Sequence, residues 1–204
     1  EFRRVLFRSR IIAGLAKGRN LLSPVGATRP TSDRAREALF SSLESEFGTL
    51  SDLYFLDLYC GSGAIAAEAL SRGAALVHAV DNSDKATDIA RKNLEMMSEI
   101  PGIGTSHVFT MSVGKYLDAD HNRMVANIAF DIVFMDPPYE LPNSDVEKIV
   151  RDLLAQKIIK ASSIIAIERE SKSRAPEWPE GLRLKKERKY GAATIYYAEP
   201  TGAL

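Results

Sequence analysis

The segment FDIVFMDPPYE, residues 130–140, combines an apolar run with a polar ending that could do chemistry. The apolar run is typical of a buried strand, and it ends at Asp136, Pro137, Pro138 and Tyr139. Prolines have no N–H group and a fixed φ, so they form a stiff turn that offers hydrogen-bond acceptors. The Asp136 carboxylate and the Pro137 carbonyl therefore suit an all-donor group, namely the exocyclic amine of a base. Tyr139 adds a flat face on which that base can stack.

A second candidate site is the glycine-containing segment LDLYCGSGAIAAEAL, residues 56–70. Gly61 and Gly63 follow a predicted strand and open a predicted helix, and Ala66 allows that helix to pack closely. The next predicted strand ends at Asp81, 20 residues after Gly61, where a carboxylate can accept hydrogen bonds from ribose hydroxyls. This context predicts a bound nucleotide-type ligand; the alternative is a tight turn without a ligand.

The class of ligand depends on Asp57, which precedes Gly61 by four residues. A dinucleotide would place its pyrophosphate at the helix N-terminus, and a carboxylate there disfavours phosphate and favours a cationic group. S-adenosylmethionine carries a sulfonium and an ammonium and has no phosphate, and D-x-x-x-G-x-G is the usual glycine loop of Rossmann-like methyltransferases. The alternative for Asp57 is a carboxylate bonded only to loop amides. Cys60, inside the loop, is interpreted as a small packing residue.

Alternating strands and helices must position these residues. Strands are predicted at 53–59, 76–81, 106–111, 131–136 and 163–169, and helices at 63–73, 83–97 and 144–157. This order predicts an α/β protein with a Rossmann-like, mostly parallel seven-stranded sheet. LRLKKERKYG and ATIYYAE have no helix between them and predict an antiparallel C-terminal hairpin. Ligands bind at the carboxyl ends of strands in such sheets, where Asp57, Asp81 and Asp136 are expected.

The N-terminal part of the chain is predicted to be a separate arm. RIIAGLAKGRNLLSP, residues 10–24, predicts a β-hairpin with its turn at 16–18, and the helix that follows ends at Gly48. Thr31 or Ser32 is expected to cap this helix. The predicted domains are an N-terminal extension at 1–9, an arm at 10–47 and a larger α/β domain at 48–204.

Charge and composition narrow the function classes. The 204 residues have zero net charge, yet residues 1–40 hold nine Lys and Arg against three Asp and Glu. A basic arm on an acidic body indicates an anionic partner; the alternative is a solvated hairpin. One cysteine excludes an internal disulfide, and the scattered histidines predict no metal site. The absence of a long apolar run predicts no membrane span, and the low cysteine content favours the cytoplasm.

Basic residues of the chain are together expected to hold nucleic-acid phosphates, whereas the alternative for any single one is a solvated surface charge. They are Arg10, Lys17, Arg19, Arg29, Arg34 and Arg36, with a second group formed by Lys185, Lys186, Arg188 and Lys189.

Four segments, RIIAGLAKGRNL, TRPTSDRAREALFSSL, LDLYCGSGAIAAEALSRGA and DIVFMDPPY, together resemble the RsmD family of bacterial 16S rRNA guanine-N2 methyltransferases. The likeness runs from Arg10 to about Glu199, so residues 1–9 lie outside the pattern of the family. The resemblance implies S-adenosylmethionine as cofactor, 16S rRNA within 30S subunits or assembly intermediates as partner, an RNA-binding arm at 10–47 and a methyltransferase domain at 48–204. It also implies that the turn containing Thr31 lies over the active site and contacts the RNA. Nothing in the sequence demands a dimer, so a monomer is expected.

The resemblance assigns roles residue by residue. Asp136, Pro137 and Tyr139 match the amine-binding motif. The implied cofactor-binding residues are Asp57, Tyr59, Gly61, Ser62, Gly63, Asp81, Asn82, Ser112, Val113 and Asp136.

Three rival functions stay open on the sequence. The nearest is another amino-methyltransferase, acting on adenine N6 or cytosine N4 in DNA or on a different rRNA base, because DPPY does not separate these targets. A nicotinamide-dependent oxidoreductase is disfavoured by Asp57 and DPPY. A non-catalytic RNA-binding assembly protein would share the basic arm and lack methyl transfer.

Overall fold

The structure is a computed structural model that describes residues 6–23, 33–118 and 128–202. The chain divides into two compact units, Glu1–Thr110 and Met111–Leu204, and each is described by itself. The predicted helix caps, Thr31 and Ser32, and the predicted phosphate ligand Arg29 lie outside the described residues.

The first unit joins a β-hairpin and a helix to three parallel strands. The hairpin pairs β1 (Leu6–Arg10) antiparallel with β2 (Asn20–Ser23), and α1 (Asp33–Phe47) follows. The elements that follow are β3 (Tyr54–Leu58), α2 (Ala64–Ser71), β4 (Leu76–Asp81), α3 (Asp84–Ser98) and β5 (Thr105–Thr110). The parallel strands lie in the order β5-β4-β3, and helices α2 and α3 connect them.

The hairpin differs from its predicted form. Strand β1 begins at Leu6, which pairs with Ser23, so residues 6–9 of the predicted extension belong to the hairpin. Residues 11–19 form the connection instead of strand: the Ile11 amide donates to the Arg19 carbonyl, and Gly18 donates back to the Ile11 carbonyl. Ile11 is buried, which fixes this connection against the rest of the unit.

The second unit carries four strands and two helices among its described residues. They are α4 (Val113–Tyr116), β6 (Phe130–Met135), α5 (Asn143–Ala155), β7 (Ile159–Glu170), β8 (Leu182–Tyr190) and β9 (Ala193–Pro200). The strands lie in the order β6-β7-β9-β8. Strands β6 and β7 are parallel, whereas β9 pairs antiparallel with both β7 and β8.

Burial follows the sequence patterns that predicted these elements. All six residues of β6 are buried, as expected for a strand covered on both faces. Strand β8, at the outer end of its strand order, exposes most of its basic side chains. The predicted fold class, a mostly parallel seven-stranded sheet with an antiparallel C-terminal hairpin, is confirmed.

Membrane-spanning helices and metal sites are two features that the sequence predicts to be absent. None of the described helices is long and apolar enough to cross a membrane. Within the same residues, no group of three or more histidine, cysteine or acidic side chains is arranged to hold a metal ion.

Candidate functional site

The glycine loop of the first unit is a tight turn between β3 and α2. Tyr59, Gly61 and Gly63 all have positive φ, at 63°, 53° and 73°. The Cys60 amide donates to the Val80 carbonyl of β4 at 3.0 Å, and Gly63 donates to the Cys60 carbonyl at 2.8 Å. Glycine adopts this conformation without strain, whereas Tyr59 is a non-glycine residue held in it, a feature that concentrates at ligand sites.

Two carboxylates hold the glycine loop in place. Asp57 is 1% exposed, and its Oδ2 accepts from the Ala66 amide at 3.1 Å. This bond caps the N-terminus of α2, because the N-cap residue Gly63 has no side chain that could do so. Asp81 ends β4 and accepts from the Gly61 amide at 3.0 Å and from the Ser83 amide at 2.9 Å. The structure therefore brings Asp57, Gly61 and Asp81 together, as the spacing predicts. Of the neighbouring predicted contacts, Ser62 is half-buried and Asn82 is exposed.

The loop suits a cationic or neutral ligand better than an anionic one. Burial, together with the charges of Asp57 and Asp81, raises the pKa of the Cys60 thiol well above its ordinary value. A Cβ atom built on Gly61 would meet nothing within 4 Å, so space is open beside this backbone. These residues fit S-adenosylmethionine, whose hydroxyls can donate to carboxylates and whose charge is positive, and they do not fit a pyrophosphate.

We expect Cys60 to react slowly with iodoacetamide in the folded protein at pH 8, because the thiol stays protonated there. The raised pKa also means that the folded chain keeps this proton above pH 9.0, where an ordinary thiol releases it. The stability that this group contributes is thus present below pH 9.0 and is lost as the pH rises above that value. Mass spectrometry of timed alkylation checks this. Folded and urea-unfolded samples that label equally fast would contradict it.

Gly63 allows α3 to approach the glycine loop. A Cβ atom at this position would lie 3.0 Å from Ala90 Cβ and 3.2 Å from Ala90 Cα, in a backbone with φ of 73°. Replacing Gly63 with alanine is expected to cost about 2–4 kcal/mol of unfolding free energy. We also expect it to weaken S-adenosylhomocysteine binding by roughly tenfold or more, because the loop must shift.

Gly48→Ala is the matched control for Gly63→Ala. Gly48 has a similar φ of 75°, yet a Cβ there would meet nothing within 4 Å. This variant should lose about 1–2 kcal/mol from backbone strain alone and keep its cofactor affinity. Calorimetric titration and urea unfolding measure the two effects. Equal affinities for the two variants would show that the Ala90 contact does not shape the loop.

The DPPY turn of the second unit follows β6 directly. Asp136 and Tyr139 are half-buried, Pro137 is buried and Pro138 is exposed. The Leu141 amide donates to the Pro138 carbonyl at 2.9 Å, which closes the turn. The four predicted residues thus share one short rigid segment at the carboxyl end of a buried strand.

Arg169 is a residue at this turn that the sequence analysis missed. It is 3% exposed near the end of β7, and its guanidinium donates to the Leu141 carbonyl at 2.7 Å and to the Pro138 carbonyl at 3.3 Å. These bonds fix the backbone that follows Asp136. The available signal was an arginine near the end of the apolar strand SIIAIER.

Two predicted cofactor contacts of the second unit, Ser112 and Val113, lie at the start of the short helix α4. Ser112 is its N-cap, and the Ser112 side chain accepts from the Lys115 amide at 3.2 Å. Val113 is 5% exposed. The sequence did not predict this helix.

The predicted RNA-binding residues fall into separate environments. Arg10, Lys17 and Arg34 line one open pocket of about 360 Å³, together with Ile11, Ile12, Gly18, Asp33 and Glu37.

Arg19 instead donates to the carbonyl of Met96 on α3. Arg36 is 1% exposed, so its burial argues against the predicted phosphate contact. Arg29 and Thr31 lie outside the described residues.

Arg36 and Glu68 bind backbone groups of the N-terminal hairpin and its connection. The Arg36 guanidinium donates to the Arg10 carbonyl at 2.6 Å, and its Nε lies 3.6 Å from Glu68 Oε2. Glu68 is fully buried and accepts from the amides of Ile12 and Ala13 at 2.8 and 3.0 Å. Burial lowers the pKa of Arg36, an effect that the charge of Glu68 opposes. Glu68 was also missed; its signal was an acid in the apolar helix IAAEAL.

The basic residues of β8 are partly engaged within the second unit. Lys185 Nζ lies 2.8 Å from Glu199, and Arg183 lies 2.7 Å from the same carboxylate, which lowers the pKa of Glu199. Lys186 Nζ lies 5.1 Å from the centre of the Tyr197 ring. Arg188 and Lys189 are exposed to solvent.

Comparison with known proteins adds independent information. The family model described as conserved hypothetical protein 95 matches residues 9–199. Ribosomal RNA small subunit methyltransferase D of Escherichia coli is 30% identical over 199 residues, covering 95% of this chain and 91% of that relative. The solved Escherichia coli protein yhhF has a TM-score of 0.75 and 27% identity, covering 95% of this chain and 98% of that chain. A solved methyltransferase in complex with SAH has a TM-score of 0.62 at 14% identity, covers 76% of this chain and 47% of that one, and shows the fold alone.

Proposed function

Since the chain belongs to the RsmD family, matched here by the family model conserved hypothetical protein 95, we propose that it is an S-adenosylmethionine-dependent methyltransferase acting on the RNA of the small ribosomal subunit. The finer proposal is that the target is the N2 amine of a guanine in 16S rRNA. The observation that carries the methyltransferase proposal is the glycine loop, in which Asp57 and Asp81 hold a tight backbone beside open space at Gly61. The guanine-N2 target is proposed from the family resemblance.

The residues of this loop are proposed to hold S-adenosylmethionine, which supplies a methyl group on a good leaving group. Asp81 would accept hydrogen bonds from the ribose hydroxyls, as an acid at the end of the second parallel strand does in this fold class. The backbone at Gly61 and Gly63 lets the ligand approach closely. The negative charge of Asp57 favours the cationic end of the cofactor.

The DPPY turn is proposed to bind the amine that is methylated. The Asp136 carboxylate and the Pro137 carbonyl would accept hydrogen bonds from its two N–H groups. These bonds would aim the nitrogen lone pair at the methyl group. Tyr139 would stack on the base, and Arg169 holds the turn rigid through its two backbone bonds. After the nitrogen–carbon bond forms, the cationic amine would give its proton to water or to the Asp136 carboxylate, so the reaction would not need a strong general base.

The substrate must be an unpaired or flipped base, because a stacked base hides its amine. The pocket lined by Arg10, Lys17 and Arg34 supports a role for the arm in holding the flanking backbone. A ribosomal substrate places the protein in the cytoplasm, and we propose that it acts as a monomer on 30S subunits or their assembly intermediates.

Methyl transfer from labelled S-adenosylmethionine tests the proposal. Naked 16S rRNA, 30S subunits lacking the modification and duplex DNA serve as substrates, and the digested product is analysed for N2-methylguanosine. We expect label in guanine N2 from a ribosomal substrate only. Label in DNA adenine or cytosine would favour a DNA amino-methyltransferase. Cofactor binding without transfer to any substrate would favour an assembly protein, and binding of a nicotinamide cofactor would favour an oxidoreductase.

A further inference from the structure

A buried asparagine joins the N-terminal hairpin to the glycine loop. Asn93 lies on α3 and is fully buried. Its Oδ1 accepts from the Leu22 amide at 2.8 Å, and its Nδ2 donates to the Leu22 carbonyl at 3.0 Å. Nδ2 also donates to the Ser62 carbonyl at 2.8 Å. One side-chain amide therefore pairs both backbone groups of a residue in β2 and holds a carbonyl of the loop.

The same face of α3 supports the loop by packing. Ala90 lies one helical turn before Asn93 and faces Gly63, where an added Cβ would stand only 3.0 Å from Ala90 Cβ. The three hydrogen bonds of Asn93 use both of its N–H groups and an acceptor site, which fixes the plane of the amide. A shift of β2 would break the bonds between Leu22 and Asn93 and leave the side-chain amide of Asn93 free to rotate. The Ser62 carbonyl would then lose its fixed donor.

We propose that Asn93 is a positioning residue that couples the seating of the hairpin to the shape of the cofactor loop. This inference rests on the proposed function, in which the loop holds the cofactor and the arm holds RNA. When the hairpin is bound to Asn93, the loop holds the conformation that binds the cofactor. A bound cofactor in turn favours the state in which the hairpin is bound to Asn93. Such coupling is reciprocal, so each ligand strengthens the binding of the other by the same factor.

Other anchors of the hairpin provide the comparison. Ser71 Oγ, on α2, donates to the Ala13 carbonyl at 2.5 Å and accepts from the Ala16 amide at 3.0 Å. These bonds hold the hairpin connection from a different helix and involve no loop group. Loosening the hairpin at Ser71 and at Asn93 therefore separates a general loss of stability from a loss of coupling.

The first test compares Asn93→Asp with Ser71→Ala by calorimetric titration with S-adenosylhomocysteine. Asn93→Asp keeps the acceptor for the Leu22 amide but sets a carboxylate oxygen against the carbonyls of Leu22 and Ser62. We expect it to weaken binding by roughly five- to twentyfold, since a buried polar network is left unsatisfied. Ser71→Ala should lower the melting temperature about as much as Asn93→Asp does, yet keep the affinity for S-adenosylhomocysteine within about twofold of wild type.

The outcomes separate the two levels of inference. An unchanged affinity for Asn93→Asp, or an equal loss for Ser71→Ala, would overturn the coupling. Wild-type protein that fails to bind S-adenosylhomocysteine would overturn both the coupling and the proposed function. Wild-type protein that binds it and shows the expected pattern but transfers no methyl group to RNA would uphold the coupling and overturn the proposed reaction.

A second test uses the unaltered chain and so does not depend on the folding of a variant. Hydrogen exchange of the Leu22 amide is measured with and without S-adenosylhomocysteine. We expect the ligand to slow exchange at Leu22 by several-fold, and by more than at Ile12 and Ala13, whose amides bond to Glu68. Protection confined to the loop would overturn the proposal.

Discussion

Asp136→Ala is expected to lower kcat for methyl transfer by about 10²–10³-fold, the typical cost of removing one preorganised hydrogen-bonding group from a reacting centre. Asp136 follows the last residue of the buried strand β6, on a turn that Arg169 fixes from β7. Its proposed role is to hold the target amine, so S-adenosylhomocysteine affinity should stay within about tenfold of wild type. Single-turnover transfer and calorimetric titration measure the two quantities.

Asp131→Ala is the matched control, because it makes the same change at the other end of the same strand. Asp131 is 7% exposed and binds Lys160, with both carboxylate oxygens 2.8 Å from its Nζ. Its loss should reduce stability and leave turnover at the wild-type level. If Asp136→Ala weakened cofactor binding and methyl transfer equally, Asp136 would belong to the cofactor site instead of the amine site.

Arg36→Ala is expected to lower the free energy of unfolding by about 3–5 kcal/mol, the usual cost of breaking a buried ion pair. The guanidinium donates to Ser9 Oγ and Asp33 at 2.9 Å and lies beside the fully buried Glu68. Removing it takes positive charge from beside this carboxylate and removes an anchor of the hairpin. Urea unfolding followed by circular dichroism gives the change.

Arg34 provides the comparison from the same helix. It is exposed and lines the open pocket of the arm, two residues from Arg36. Arg34→Ala should change stability by at most about 0.5 kcal/mol, as surface substitutions usually do. We expect RNA affinity to fall and the salt dependence of binding to become shallower, because one phosphate contact is lost. An Arg36→Ala variant with wild-type stability and weakened RNA binding would show that Arg36 contacts RNA and does not hold the hairpin.

The glycine loop could be predicted from sequence because its determinants are local. Positive φ at Gly61 and Gly63 favours glycine, and the interval to Asp81 is set by one helix and one strand. The structure confirms this geometry: the Asp81 carboxylate accepts from the Gly61 amide. The ligand that binds there stays a prediction, as do the roles of Asp57 and Asp136.

The arm was less predictable because its residues are sorted by tertiary contacts. Counting charges treats Arg34 and Arg36 alike, although docking of the hairpin buries one and leaves the other exposed. The same docking makes Glu68 and Asn93 important, since both bind backbone groups of segments far away in sequence. Polar residues inside apolar helical patterns were the available signal, but such residues do not reveal their partners.

Strand β8 has a consequence for how the protein stays dispersed at high concentration. An outermost strand presents unpaired backbone groups with which a strand of another molecule could pair and begin aggregation. The exposed side chains of Arg188 and Lys189 lie along this edge, and like charges would meet if two copies approached edge to edge. We therefore expect the basic strand to disfavour self-association through this edge of the sheet, whether or not it also contacts RNA.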